Sequence, residues 1–226
     1  MKKMFVLGAA VATAMTCSNV QAAEMAAGGH MGTLGAGLSL TTNIRPDING
    51  RIGFNTFNFD ESGDEDDVTY NIDLNWRSVT ALLDWHPFSG GFRTTAGLML
   101  NNNEVEMQAQ LSGQVTIGNI TYQASDLGSL TGLVDFDSVA PYLGIGWGNA
   151  VSADKKWGFT ADLGVVFQGS PNIDLNATLG STAAANGVTQ AQLDAEVARE
   201  EANLTDDLDD FDVYPVIAFG ASYRFK

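Results

Sequence analysis

Five charged residues stand out because each occupies the polar phase of an otherwise alternating apolar stretch: Arg51, Asp84, Arg93, Asp162 and Arg224. The stretches are far apart in the chain. If they are strands of one closed sheet, the five side chains share its interior face and can form a network of three positive and two negative charges. A second candidate is the run Asp60-x-Ser62-x-Asp64-x-Asp66, whose alternate oxygens have the spacing of a hard-cation loop. It lacks the glycine and the closing glutamate of an EF-hand, so the bland reading is a solvated acidic loop that attracts cations without a built site. Catalysis by a nucleophile would need His30 or His86, and neither accompanies a serine in a recognisable nucleophile motif. An enzyme is therefore not expected, nor is a metal or a cofactor.

Composition narrows the partners. The chain has 226 residues, with 27 acidic and 11 basic side chains and a formal charge of −16. Nucleic acid is not an expected partner, because phosphate binding needs a basic face. Lys2 and Lys3 precede the largely apolar Met4 to Met15, and Val20-Gln21-Ala22 puts small residues where a signal peptidase needs them. Residues 1–22 are expected to be a secretory signal peptide and 23–226 the exported protein. The single cysteine, Cys17, falls in that leader, which leaves no thiol chemistry afterwards. A lipidated Cys17 is the alternative, with Ala14-Met15-Thr16 a poor attachment box. No later apolar stretch is long enough for a membrane helix, so any return to a membrane must be made by strands.

The elements that must position these charges read as strands. Trp157, Phe159, Ala161, Leu163, Val165 and Phe167 alternate with small or polar residues, Val166 being the exception. So do Val213, Pro215, Ile217, Phe219, Ala221, Tyr223 and Phe225, and similar sets around residues 34–40, 48–54, 92–100 and 141–147. The intervening face is rich in Gly, Ser, Thr and Asn with isolated charges. That suits a barrel with lipid outside and a cramped lumen, although a soluble sheet with its faces exchanged alternates identically. The connections favour the membrane. Short ones (42–47, 87–91, 149–156) alternate with long ones (60–67, about 112–137, about 172–211), as periplasmic turns alternate with outer loops. Aromatics gather beside the short turns: Trp85, Phe88, Phe92, Trp147, Trp157, Tyr223 and Phe225. The expected fold class is all-β: an eight-stranded antiparallel transmembrane up-and-down β-barrel with a short extracellular loop helix.

Seven strands are directly readable, at about 31–41, 48–59, 68–86, 92–111, 131–148, 157–171 and 211–225. Both chain ends lie on the periplasmic side only if an eighth precedes them, and Ala23–His30 is what remains for it. Within 68–86 the apolar phase changes between Trp76 and Val79, which predicts a bulge near Arg77–Ser78. In the long connections, Val115 to Tyr122 reads as a hairpin around Gly118-Asn119, and Thr189 to about Leu204 as a helix opened by a Thr189/Gln192 capping box. Three sequons, at Asn119, Asn176 and Asn203, are read as coincidental.

Three stretches taken together resemble a known family: Val139-Ala140-Pro141-Tyr142-Leu143-Gly144-Ile145-Gly146-Trp147, then Lys156-Trp157-Gly158-Phe159 through Gln168-Gly169-Ser170-Pro171-Asn172-Ile173-Asp174-Leu175, then Ala195–Leu204 followed by Tyr214-Pro215-Val216. They resemble the CarO family of carbapenem-resistance-associated outer-membrane proteins and ornithine-uptake porins. The resemblance implies an eight-stranded barrel in the bacterial outer membrane that takes up ornithine and other basic amino acids. Its partners would be outer-membrane lipid, the barrel-assembly machinery during insertion and a small cationic solute. The short segment before Met31 and the Lys226 after the final aromatic depart from that pattern. On the residues alone, a narrow channel or uptake porin stands beside two alternatives, a structural or surface-interaction barrel with acidic ligand-binding loops and a secreted soluble β-protein.

Overall fold

The computed structural model describes residues 24–65, 68–152 and 154–225. The proposed leader, 1–22, and Asp66 lie outside them. Among the described residues thirteen strands occur in chain order. The first four are β1 (Met25–Gly32), β2 (Gly35–Arg45), β3 (Ile48–Glu65) and β4 (Val68–Trp85). Then come β5 (Phe92–Asn101), β6 (Glu104–Leu111), β7 (Gln114–Ile117), β8 (Ile120–Gln123) and β9 (Leu127–Asp135). The last are β10 (Val139–Trp147), β11 (Trp157–Phe167), β12 (Asn172–Leu179) and β13 (Val213–Arg224), with helix α1 (Gln190–Asp207) between β12 and β13.

Eight of the strands close a barrel in the order β1, β2, β3, β4, β5, β10, β11, β13 and back to β1, every pairing antiparallel. Closure pairs each strand of the barrel on both sides within the span, which a bilayer demands because lipid offers the backbone no hydrogen bonds. The alternation has the sense a membrane requires. Leu38 is 70% exposed and Phe159 84%, whereas Met99, on the opposite face, is fully buried. The aromatics beside the short turns form an outward girdle, with Phe92 against Phe88 and Trp147 and with Trp157 against Tyr223. This is an outer-membrane β-barrel, and the soluble sheet with exchanged faces is ruled out.

The eighth strand is the N-terminal one. The stretch 31–41 contains a turn: β1 and β2 are joined by Thr33-Leu34 alone, with Gly35 at φ +92°. A Cβ at Gly35 would lie 2.4 Å from the Thr56 carbonyl oxygen, so this position needs glycine twice over. One outer connection is therefore as tight as any periplasmic turn, and the expected strict alternation of short and long fails there.

The other long connections are largely strand. Residues 60–65 continue β3, paired residue by residue with β4, so the expected acidic loop is a hairpin arm. Beside the outer half of β4 stand β6, β9 and β12, giving a sheet that rises beyond the barrel. There is no bulge at Arg77–Ser78: the β3–β4 register runs unbroken from Ile48↔Trp85 to Glu65↔Val68. The phase change has another cause. Below Ser78 the apolar face of β4 meets lipid; above it the strand has left the bilayer, and the apolar face becomes the opposite one, which packs inside the extracellular sheet. Helix α1 and the β7–β8 hairpin cover part of that face, burying Val115, Ile117, Tyr122, Leu193 and Val197 against Leu130 and Leu175. The helix opens with the expected capping box between Thr189 and Gln192.

Candidate functional site in the barrel lumen

Inward-facing positions of β3, β4, β5 and β11 bring four of the five expected charges together. Arg51 grips Asp84 with two nitrogens, Nε to Oδ2 and Nη2 to Oδ1, both at 2.9 Å. Its Nη2 also lies 3.1 Å from Asp162 Oδ1. Arg93 Nη2 donates to the same Asp162 oxygen at 2.7 Å, and its Nε lies 3.5 Å from Asp84 Oδ1. Each arginine thus touches both aspartates, so the quartet is neutral and doubly cross-linked. Thr95 Oγ1 donates to Asp84 at 2.6 Å, and Arg93 Nη1 donates to the Gly148 carbonyl. The Arg93 guanidinium lies across β10 where Gly146 has no side chain; a Cβ there would stand 2.9 Å from Cζ.

Arg224 shares the inward parity but not the site. Its Nη1 donates to Glu24 at 3.1 Å, at the periplasmic foot of β1 and β13. Alternation reports the face of a residue and not its depth. Asp162 pairs across to Ala218 on β13, and Arg224 is about 20 Å further along that strand. Of the acidic-loop candidates, Asp66 lies outside the described residues. Asp60 and Asp64 lie on one strand, about 13 Å apart along it. No cluster of three or more His, Cys, Asp or Glu suited to a metal occurs among the described residues.

Neutral polar and apolar partners, which the charge pattern did not single out, complete the interior. On the outer side of the quartet lies an apolar layer: Leu34, Leu82, Met99, Ala140, Tyr142, Val166 and Val216. On the periplasmic side, Asn49 Nδ2 lies 3.1 Å from His86 Nε2 and 3.1 Å from Asn149 Oδ1. With Asn49 donating, His86 Nε2 is the acceptor and Nδ1 donates to the Gly90 carbonyl at 3.1 Å. His86 is thereby engaged as a structural clamp over the short turn. His30 lies on β1, its Nε2 2.6 Å from Asn55 Oδ1. The signal for those on strands was present: His30, Asn49, Asn55, Leu82, Met99, Ala140, Tyr142, Val166 and Val216 have the inward parity of their strands.

The remaining free space is a cavity of about 60 Å³ bordered by His30, Arg51, Asn55, Thr80, Asp84 and Asp162. That accommodates a few waters and is far below the roughly 300 Å³ at which small-molecule sites begin. In this state the lumen is filled by its own side chains, as the diameter of an eight-stranded barrel dictates.

No protein-family model and no curated sequence matches the chain. Solved structures do. Acinetobacter baumannii CarO2 superposes with a TM-score of 0.58 at 21% identity, covering 89% of this chain and 98% of that one. CarO from the same organism gives 0.56 at 21% identity, with 88% and 97% covered. The chain therefore shares the eight-stranded outer-membrane barrel fold of the CarO proteins.

Proposed function

We propose that the protein is a narrow, gated passage for small solutes, basic amino acids among them, with the Arg51/Arg93/Asp84/Asp162 quartet as its gate. The buried quartet is the observation that supports this. An interior that only had to fill a barrel would be at least as stable apolar, since burying charge costs several kcal/mol per ion before pairing returns it. Here four charges from four strands share partners, so one arginine can release an aspartate without leaving it unpaired. A layer built this way can rearrange. Conduction also requires the apolar layer on its outer side to part, so currents should be small and intermittent. Acidic residues crowd the extracellular end, including Asp60, Glu61, Asp73, Glu104, Glu106, Asp135 and Asp174, and raise the local concentration of cations. On this reading outer-membrane lipid is the protein's solvent and the barrel-assembly machinery inserts it. The liposome-swelling rate with ornithine and with glycine tests the reading. Faster entry of ornithine agrees with it. Swelling with neither solute refutes it and leaves a structural, surface-presenting barrel; large steady conductance in planar bilayers refutes the filled lumen.

A further inference from the structure

The extracellular sheet has two edges, and the protein treats them differently. The β12 edge is closed by helix side chains. Leu175 N–H donates to Glu201 Oε1 at 2.8 Å, and the Ala177 carbonyl accepts from Gln190 Nε2 at 3.1 Å. Such closure is the usual defence of a strand that would otherwise template another. The opposite edge is the outer part of β3. Strand β2 accompanies β3 only as far as Ala36↔Thr56, because the β1–β2 turn at Thr33-Leu34 stops short. From Phe57 to Glu65, β3 is paired with β4 alone, and among the described residues no other backbone bond reaches it.

The direction of the free groups follows from the ladder. At its foot His86 N–H donates to the Asp47 carbonyl at 2.8 Å, and the register above is unbroken. Bonds to β4 therefore belong to odd-numbered residues of β3, and even-numbered ones face β2. Beyond Thr56, the amides and carbonyls of Asn58, Asp60 and Ser62 point away from the sheet, and no described residue bonds to them. The flanking side chains define what fits. Phe57 and Phe59 lie on one face, 40% and 44% exposed, with Asp60 and Ser62 on the other and Glu61 beyond the aromatics. A second copy of this edge would set Asp60 and Glu61 against their like.

We propose that the outer edge of β3, Asn58 to Ser62, docks an extended, basic peptide segment by strand addition. Main-chain bonds from Asn58, Asp60 and Ser62 supply the affinity. Apolar side chains of the guest lie beside Phe57 and Phe59, and its lysines or arginines lie beside Asp60 on the opposite face, with Glu61 adding negative charge at the end of the aromatic face. This surface is independent of the lumen and of the transport reading.

The test is titration of a fluorescein-labelled peptide of alternating lysine and valine against the folded barrel in nanodiscs. Its partner is an equally charged peptide interrupted by prolines, which cannot add as a strand. The first peptide should bind about tenfold more tightly and should slow amide exchange at Asn58, Asp60 and Ser62. Asn58→Pro with Ser62→Pro removes outward N–H groups without touching the β4 ladder. This variant should lose the tenfold preference while keeping heat-modifiable migration in detergent gels. Should it not fold, Asp60→Lys with Glu61→Lys decides the matter, since it must switch preference to a glutamate–valine peptide. Equal binding of the two lysine peptides, an unswitched charge preference, or Ser62→Cys chains that under air oxidation form disulfides with each other in preference to a cysteine-bearing form of the lysine–valine peptide would overturn the proposal.

Discussion

Replacing Asp162 with asparagine leaves two buried guanidiniums facing one carboxylate. Asp162 takes bonds from Arg51 and Arg93 through the same Oδ1, at 3.1 and 2.7 Å. Side-chain exposure is 9% for Asp162 and 3% for Arg93, so water cannot make up the loss. Removing one partner from a buried pair typically costs 3–5 kcal/mol. Asp84 still reaches both arginines, which places the expected cost at the lower end, about 3 kcal/mol, or roughly two orders of magnitude in the folded-to-unfolded ratio. The assay is urea unfolding in lipid vesicles, followed by tryptophan fluorescence. Asp162→Asn with Arg93→Gln restores neutrality and should fall short of the summed single effects by about 2 kcal/mol. The single variant should also conduct more than the parent and favour anions, because its lumen carries one net positive charge. Stability within about 0.5 kcal/mol of the parent, or additivity in the cycle, would refute the argument that the quartet is one coupled unit.

Three further outcomes follow from the geometry. Gly35→Ala should cost at least about 1 kcal/mol and lower the heat-modification midpoint, since a positive φ and the Thr56 carbonyl both oppose a side chain there. Burial, reinforced by the nearby Glu196 carboxylate, pushes the Tyr122 phenol above the ordinary tyrosine value. The extracellular unit should then lose stability as pH rises past about 10, where the unfolded phenol ionises and the folded one does not; Tyr122→Phe should abolish this loss in pH-dependent limited proteolysis. Glu196, 5% exposed, accepts from the Asn119 amide at 2.8 Å and from Arg199 at 2.9 Å. Glu196→Ala should release the β7–β8 hairpin at a cost of about 1–3 kcal/mol, seen as faster amide exchange at Gly118 and Asn119 with the barrel unchanged.

How much of this was readable in the sequence depended on where each strand lay. Inside the bilayer one face must be apolar along its whole length, and period two identified seven strands and the inward parity of Arg51, Asp84, Arg93 and Asp162. The first strand was nearly invisible because Met25–Gly32 is built from alanine and glycine, with only His30 and the methionines to carry a pattern. Its turn to β2 escaped notice because Leu34 keeps the apolar phase, being buried in the lumen and not facing lipid. Above the membrane the rule itself inverts, which made a continuous β4 look like two half-strands joined by a bulge. The acidic residues at 60–65 look like loop because charge usually marks loops; they belong to a strand, on which Asp60 and Glu61 are exposed on opposite faces. Arg224 was misplaced in height alone.

A lipid-facing barrel requires one parity of each strand to meet hydrocarbon. Nitroxides placed one at a time along residues 142–147 and 161–166, with the folded protein in vesicles, report collision with dissolved oxygen against a water-soluble nickel chelate. Oxygen accessibility should peak at Leu143, Ile145, Leu163 and Val165 and fall at Gly144, Gly146, Asp162 and Gly164, a period of two in both strands. Peaks at the glycines and at Asp162, with the leucines shielded from both probes, would contradict the lipid-facing barrel outright.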